Sequence, residues 1–302
     1  MSCLSGAKFR LIVLLFLPVF GFSAAQLTID HVTVAGKDLA AMRRAFTNAT
    51  RIPTEYGGRH SNHATEMALT SFPDGSYLEF MAIQPHPDPV KLDAHVWIKF
   101  LRNNAGPCAF AIRFSESDAK RLKAAGIPTQ GPEHGGRTRP DGTRLEWETT
   151  SVGNNPRGTF FPFLIRDLTR RQNRAYPSGK PTTDSFAGIS MVVIGVRDLD
   201  EAIAQYRRAF DLSAPRRLRD TEFDAELAWF DDTPIVLAQG LSDSSWLSRR
   251  VNQYGDIPSA VVLRATTGLA GAPAASNWFG HKIFWANESA LGWRLGMEAA
   301  AR

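Results

Sequence analysis

The chain repeats itself, and this repetition restricts the fold more than any single residue does. LTIDHVTVAGKDLAAMRRAF stands just after residue 26, and ISMVVIGVRDLDEAIAQYRRAF stands far downstream. Each reads as an alternating β-branched strand, an Asp-Leu pair (Asp38-Leu39, Asp198-Leu199) and a helix carrying Arg-Arg-Ala-Phe. Asp38 and Asp198 suit the N-cap, where a carboxylate accepts from free N–H groups of the first turn. The second copy reaches its Arg-Arg-Ala-Phe about one helical turn later, so Phe46 and Phe210 are expected on equivalent faces. A second pair follows at nearly the same separation: Trp97 precedes Pro107–Arg113, and Trp246 precedes Pro258–Arg264. Two independent correspondences imply a tandem of related domains, 26–168 and 184–302. The polar, basic, proline-containing stretch 169–183 reads as the linker between them.

Each domain divides again into halves of one strand, one helix and several strands. In the first half these are a strand at 27–35, a helix at 38–48, and alternating segments at Thr65–Phe72 and Tyr77–Ile83 around the turn Pro73-Asp74-Gly75. In the next, Ala109–Phe114 reads as a strand and Asp118–Ala125 as a helix closed by Gly126. Leu145–Thr149 and Thr159–Ile165 follow as further strands. The expected fold is therefore α+β, with four β-α-β-β-β units in two domains.

Composition narrows the class. The 302 residues are 43% hydrophobic and 22% charged, as in ordinary globular proteins, which excludes low-complexity and multispan membrane chains. Lys+Arg 35 against Asp+Glu 30 is a small excess with no dense basic run, so no nucleic-acid partner is expected. Residues 1–25 join a basic start (Lys8, Arg10), an apolar run from Leu11 to Phe22 and the small residues Ser23-Ala24-Ala25. That run falls short of the roughly 20 residues a membrane-spanning helix needs. The order reads as a cleavable secretory signal, placing the protein in a bacterial periplasm or outside the cell, without stable membrane insertion after cleavage. Cys3 lies in that segment, and Cys108, among apolar neighbours, reads as a small core residue. Gly-x-Ser-x-Gly, Gly-Lys-Ser/Thr and Rossmann signatures are missing from the sequence. Trp147, Trp278, Trp285 and Trp293 read as core or wall residues, not base-stacking platforms.

Four stretches carry a resemblance: Ile29-Asp30-His31-Val32, Gly57-Gly58-Arg59-His60, Asp74-Gly75-Ser76-Tyr77-Leu78-Glu79-Phe80, and Arg137-Thr138-Arg139-Pro140-Asp141-Gly142 leading into Leu145-Glu146-Trp147. With the closing run Phe160–Ile165, the chain resembles the vicinal oxygen chelate superfamily and, within it, glyoxalase-like domain proteins. The resemblance implies that paired units curl into open cups. It further implies that a His on a unit's first strand and a Glu on its last hold a divalent metal. His31 and Glu79 fall at those positions. The corresponding places in the next unit are apolar (Ala109 or Ala111, and Phe160–Ile165), and the second domain has Met191 and Val236 there. At most half of a symmetrical His/Glu/His/Glu site is therefore expected.

The residues themselves leave alternatives open. His31 and Glu79 read first as ligands of zinc, iron, manganese or nickel, next as a metal-free hydrogen-bonded pair, and last as solvated side chains. His60 reads as a third ligand, a general base or a loop histidine; His63, three positions on, falls on the opposite face of an extended strand. Arg137 and Arg139 suit a substrate carboxylate or phosphate, or else pair with Asp141 or Glu146. His86 and His95, in a proline-rich connector, receive no role, and His281 reads as a strand-edge residue. The leading expectation is a metal-dependent enzyme, of lyase, isomerase or dioxygenase type, acting on a small oxygen-rich substrate. Its rivals are a binding protein holding a small molecule in the same cup and a structural protein assembled through its sheets; a homodimer is admissible for any of them.

Overall fold

The computed structural model describes residues 27–114, 116–139, 141–267 and 276–300. The signal-like segment 1–25, Cys3 within it, and Pro140 lie outside the described residues. The first half runs β1 (Ile29–Gly36), α1 (Leu39–Thr50), β2 (Glu55–Arg59), β3 (Thr65–Ser71), β4 (Tyr77–Ile83), α2 (Pro89–Asp93) and α3 (Ile98–Arg102). It continues with β5 (Gly106–Arg113), α4 (Glu116–Ala124), β6 (Thr129–Thr138), β7 (Arg144–Val152), β8 (Phe163–Asp167) and α5 (Arg171–Ala175). The second half runs β9 (Phe186–Gly195), α6 (Leu199–Phe210), β10 (Arg216–Asp220), β11 (Ala225–Trp229), β12 (Ile235–Gly240) and α7 (Trp246–Tyr254). It ends with β13 (Ile257–Ala265), β14 (Ser276–Trp278), β15 (His281–Trp285), α8 (Glu288–Leu291) and β16 (Arg294–Glu298).

The strands form two eight-stranded sheets of the same order, β2-β3-β4-β1-β5-β8-β7-β6 and β10-β11-β12-β9-β13-β16-β15-β14. Each is a pair of β-α-β-β-β units joined by antiparallel pairing of their first strands, β1 with β5 and β9 with β13. The fold is α+β, with four such units curled into two cups. In the first cup the outer edges meet: His60 bridges to Arg137, and the Ser61 N–H donates to the Gly136 carbonyl at 3.3 Å.

The two caps form as the sequence implies, Asp38 accepting from Ala41 N–H and Asp198 from Glu201 N–H, both at 2.9 Å. Neither helix is longer than the other: both α1 and α6 are 12 residues long and start at matching points, so Phe46 has Tyr206 as its positional counterpart and Phe210 lies a turn further on. All three are fully buried, so Phe46 and Phe210 do lie on equivalent faces, and the second Arg-Arg-Ala-Phe comes later without an inserted turn of helix.

The strand expected from Thr159 begins only at Phe163. Phe160 and Phe161 turn instead into the shared core, against Tyr206 at ring separations of 5.2 and 5.1 Å. One contiguous apolar cluster unites the backs of both sheets, from Val32 and Phe80 to Val192 and Leu237. The stretch read as linker is part of the first half's architecture: it holds α5, whose Arg174 and Ala175 are buried.

Candidate active site

The floor of the first cup is set by strand register. β1 and β4 pair in parallel, with His31 opposite Tyr77 and Thr33 opposite Glu79, so these four share the concave face. The Thr33 hydroxyl donates to Glu79 Oε2 at 2.9 Å. Asp30 should point to the other face, but the β1–β5 register shifts between Ile29 and His31, and the Asp30 carboxylate reaches His31 Nδ1 at 2.7 Å. Arg174 donates to both Asp30 oxygens, at 3.0 and 2.9 Å, and also to Asp167; Arg171 joins them. Burial alone would push Asp30 upward, yet Arg174, His31 and Arg171 hold its carboxyl well below the usual range. The His31 ring is further fixed by Tyr77, stacked at 4.8 Å, and by Phe163, edge-on at 5.4 Å.

With Nδ1 committed to Asp30, His31 turns Nε2 toward Glu79 Oε2, 3.7 Å away. From the other side His60 Nε2 stands 3.4 Å from Glu79 Oε1. His60 is aimed there by the glycine pair before it: Gly58 has φ +110°, and the β2–β3 register shifts between Tyr56 and Gly58. A Cβ on Gly57 would lie 2.0 Å from the Met67 sulfur, so a side chain there would require Met67 to move. His60 Nδ1 is held by Thr65 Oγ1 at 2.9 Å. Glu79 is 6% exposed. Burial works against its charge, but the hydrogen bond from His60, the charges of His31 and His60 and the Thr33 hydroxyl pull it down to about 2. It is thus a permanent anion at the bottom of the cup.

Above this floor opens a cavity of about 390 Å³ walled by Met67, Met81, Trp97, Trp147, Phe163 and Ile165. Arg137 lines it, 3% exposed, giving Nη1–H to the Gly57 carbonyl and Nη2–H to the Arg174 carbonyl. Among the described residues no carboxylate lies within ion-pair distance of it, so its charge faces the cavity without a fixed counterion. Arg139 is elsewhere: it pairs with Asp141 at 3.0 Å and donates to the carbonyls of Asn173 and Pro177. His134 stands at the rim, 3.9 Å from Glu146. His63 lies outside this cavity, its carbonyl accepting from the Gln84 side chain.

The structure thus gathers His31, His60, Glu79 and Arg137 and leaves out Arg139. Sequence reasoning missed Asp30 and Arg174 beneath the floor, and Arg157 and His95, which line the cavity. Arg174 lay in a stretch whose polarity and prolines signal a linker. Asp30 needed the register shift. His95 could have been flagged by length, since the connector between β4 and β5 (84–105) is longer than its counterpart between β12 and β13 (241–256).

The second cup has the same register, with Val193 opposite Val236 where Thr33 faces Glu79. Met191, Val193 and Val236 pack with Phe223, Trp278 and Ile283, and Phe223 meets Trp246 and Trp278 edge-on at 5.1 and 4.8 Å. Aromatic side chains fill the space that is open in the first cup. At its rim His281 Nδ1 lies 2.6 Å from Glu298.

Imidazole and carboxylate donors suit zinc, iron, manganese or nickel, and an imidazole backed at Nδ1 by a buried carboxylate is a common arrangement behind metal-binding histidines. His31 and Glu79 therefore fit a metal by donor chemistry. They do not form a closed cage: His31 and His60 approach different oxygens of Glu79, and among the described residues no group of three or more His, Cys, Asp or Glu converges to hold an ion.

Eight-stranded cups made of paired β-α-β-β-β units, one carrying histidine and glutamate on adjoining inner strands, define a protein of the vicinal oxygen chelate superfamily. More narrowly, the sequence profile of the glyoxalase-like domain family matches residues 29–210, more than half of the chain, and the chain belongs to that family. Among solved structures, a hypothetical protein from Staphylococcus aureus superposes with a TM-score of 0.62 over 90% of this chain and 99% of its own, at 13% identity. A triple mutant of 4-hydroxymandelate synthase from Streptomyces coelicolor gives 0.55 over 92% and 94%, at 11% identity. Methylmalonyl-CoA epimerase from Mycobacterium tuberculosis covers 40% of this chain and 92% of its own, with a TM-score of 0.34 and 17% identity. At these identities the first two likenesses establish the fold alone. A sequence search of curated proteins found no match.

Proposed function

We propose that the first cup is the active site of a divalent-metal-dependent enzyme acting on a small, oxygen-rich, anionic substrate. The observation that carries this reading is Glu79: a buried carboxylate kept ionised at the floor of a cavity, flanked by two imidazoles and, among the described residues, without a Lys or Arg in ion-pair contact. His31 and Glu79 would hold the metal, with His60 beside them. When bound, the metal would supply Lewis-acid polarisation of a substrate oxygen. Glu79 itself, at about 2, is too weak a base to remove protons near neutrality. His60 is the better proton carrier, because its Nδ1 partner is a hydroxyl able to donate or accept and a proton on Nε2 faces the Glu79 carboxylate. Arg137 brings an unpaired charge to the cavity and would orient the substrate's anionic group. The apolar walls lower the local dielectric and strengthen the electrostatics of these groups.

The filled second cup has the role of a packing partner, supplying part of the common core. We place the activity in the periplasm or outside the cell on the character of residues 1–25 alone.

The test is conversion of a panel of small 2-oxo and 2-hydroxy carboxylates by the purified, metal-supplemented chain, followed by NMR. Turnover by wild type that is lost in Glu79→Gln supports the proposal. Saturable binding without conversion overturns it in favour of a small-molecule-binding protein.

A further inference from the structure

Among the described residues His95 has a partner for one of its two ring nitrogens. It lies in the long connector between β4 and β5, beside the cavity, with its ring 5.8 Å from that of Trp97. The Trp97 backbone N–H donates to His95 Nδ1 at 3.2 Å, which makes Nδ1 an acceptor and puts the ring's proton on Nε2. Among the described residues nothing accepts from Nε2. The support behind it is rigid: Trp97 Nε1–H donates to the Arg157 carbonyl at 2.8 Å, and the Trp97 ring packs on Phe163, which in turn braces His31. Burial and the nearby charges of His60 and Arg157 depress the His95 imidazolium to about 4, so near neutrality the ring is an uncharged donor.

We infer that His95 contacts the ligand: its Nε2–H donates to an uncharged carbonyl oxygen of a molecule whose carboxylate faces Arg137, which makes the ligand class small carboxylates that also carry a carbonyl group. Arg137 supplies a charge with no fixed counterion, His95 supplies a neutral donor with no acceptor, and both line one cavity. An anion and a carbonyl oxygen on one small molecule satisfy both. An imidazole N–H preset by a backbone bond needs no reorganisation to accept that oxygen, and a site that leaves a donor unpaired discriminates against ligands lacking the acceptor. This inference rests on the proposed function only in taking the cavity as the binding site for a small anion. It needs no metal.

The test therefore uses the full chain freed of metal by chelation, so that failure of the metal reading and failure of this one are told apart. Long-range proton–nitrogen spectra of ¹⁵N-histidine-labelled protein at pH 7, with His95 assigned by its loss in His95→Phe, should show the Nε2–H tautomer. A ring protonated on Nδ1, or on both nitrogens, overturns the inference. Dissociation constants are then compared for pyruvate, phenylpyruvate, 3-oxobutyrate and 4-oxopentanoate against propionate, 3-phenylpropionate, butyrate and pentanoate. At least one oxo acid should bind wild type about five- to tenfold better than its partner, the worth of one neutral hydrogen bond. His95→Phe should erase that preference while leaving the affinity for the plain acid unchanged, and His95→Gln should restore part of it. A wild type that binds no oxo acid better than its partner, or a preference that survives in His95→Phe, overturns the inference.

Discussion

Asp30 Oδ1 lies 2.7 Å from His31 Nδ1, although the two residues are neighbours on one strand and alternation should send them to opposite faces. The register shift in β1 brings them together, and Arg174 holds the carboxylate from α5, more than a hundred residues along the chain. This junction fixes which nitrogen of His31 faces Glu79. It also explains why a stretch with the composition of a linker carries a buried arginine.

Arg174→Met should be among the most damaging single changes away from the apolar core. It leaves Asp30 buried with Arg171 and His31 as its remaining partners among the described residues, and breaking one side of a buried pair costs about 3 kcal/mol or more. Arg139→Ala removes a pair whose acid is half exposed, together with bonds to two backbone carbonyls, and strands no buried charge, so it should cost clearly less. Urea unfolding of the two variants beside wild type measures the difference; equal losses would remove the structural role given to Arg174.

Acid should destabilise the fold in two overlapping ranges. His95 is held below its ordinary 6.5 at about 4, so the unfolded chain takes up its proton first and stability falls as pH drops from about 6.5 to 4. Glu79 is held below its ordinary 4.5 at about 2, so its contribution is present above 4.5 and is lost as pH falls toward 2. The Glu79 part amounts to about 3 kcal/mol at most. Unfolding free energies between pH 7 and 3 should show the decline, shallower in His95→Phe above pH 4.5 and in Glu79→Gln below it.

Filling the second cup should be a matter of stability alone. Trp278 is fully buried, and Trp278→Ala should cost about 3 to 5 kcal/mol through lost burial and the cavity left behind. The same variant, kept below its unfolding temperature, should bind metal and small acids as wild type does. A change in either would mean the second cup contributes to the site.

Arg137 ties two edges of the first sheet while its charge faces the cavity. Arg137→Met should therefore weaken binding of small carboxylates and speed hydrogen exchange at Gly57–Ser61 together. Arg137→Lys keeps the charge but cannot reach both carbonyls with one planar fork, and should retain part of the binding with faster exchange. Unchanged exchange in both variants would show that the seam holds without the guanidinium.

Much of this was legible in the sequence, for definite reasons. The Asp-Leu helix starts, the Pro-strands and the alternation around Glu79 are local patterns, and they gave the tandem β-α-β-β-β units; the curling of the sheets and the pairing of His31 with Glu79 came from the resemblance to glyoxalase-like proteins. The same comparison of copies placed Met191 and Val236 opposite those positions, and the register agrees. What escaped depends on contacts between distant segments. Asp30 acts only because a strand shifts register, Arg174 only because α5 packs under the cup, and Phe160 leaves its strand because Tyr206 comes to meet it. His95 looked idle because its meaning lies in one backbone bond to Trp97.

The central claim is that the His31–Glu79 pair holds a divalent metal, and elemental analysis tests it most directly. The chain would be loaded in turn with zinc, manganese, iron and nickel, dialysed, and measured beside His31→Ala and Glu79→Gln. The expected result is about one equivalent of at least one metal retained by wild type and lost in both variants. No stoichiometric metal in wild type, or undiminished metal in both variants, would contradict it.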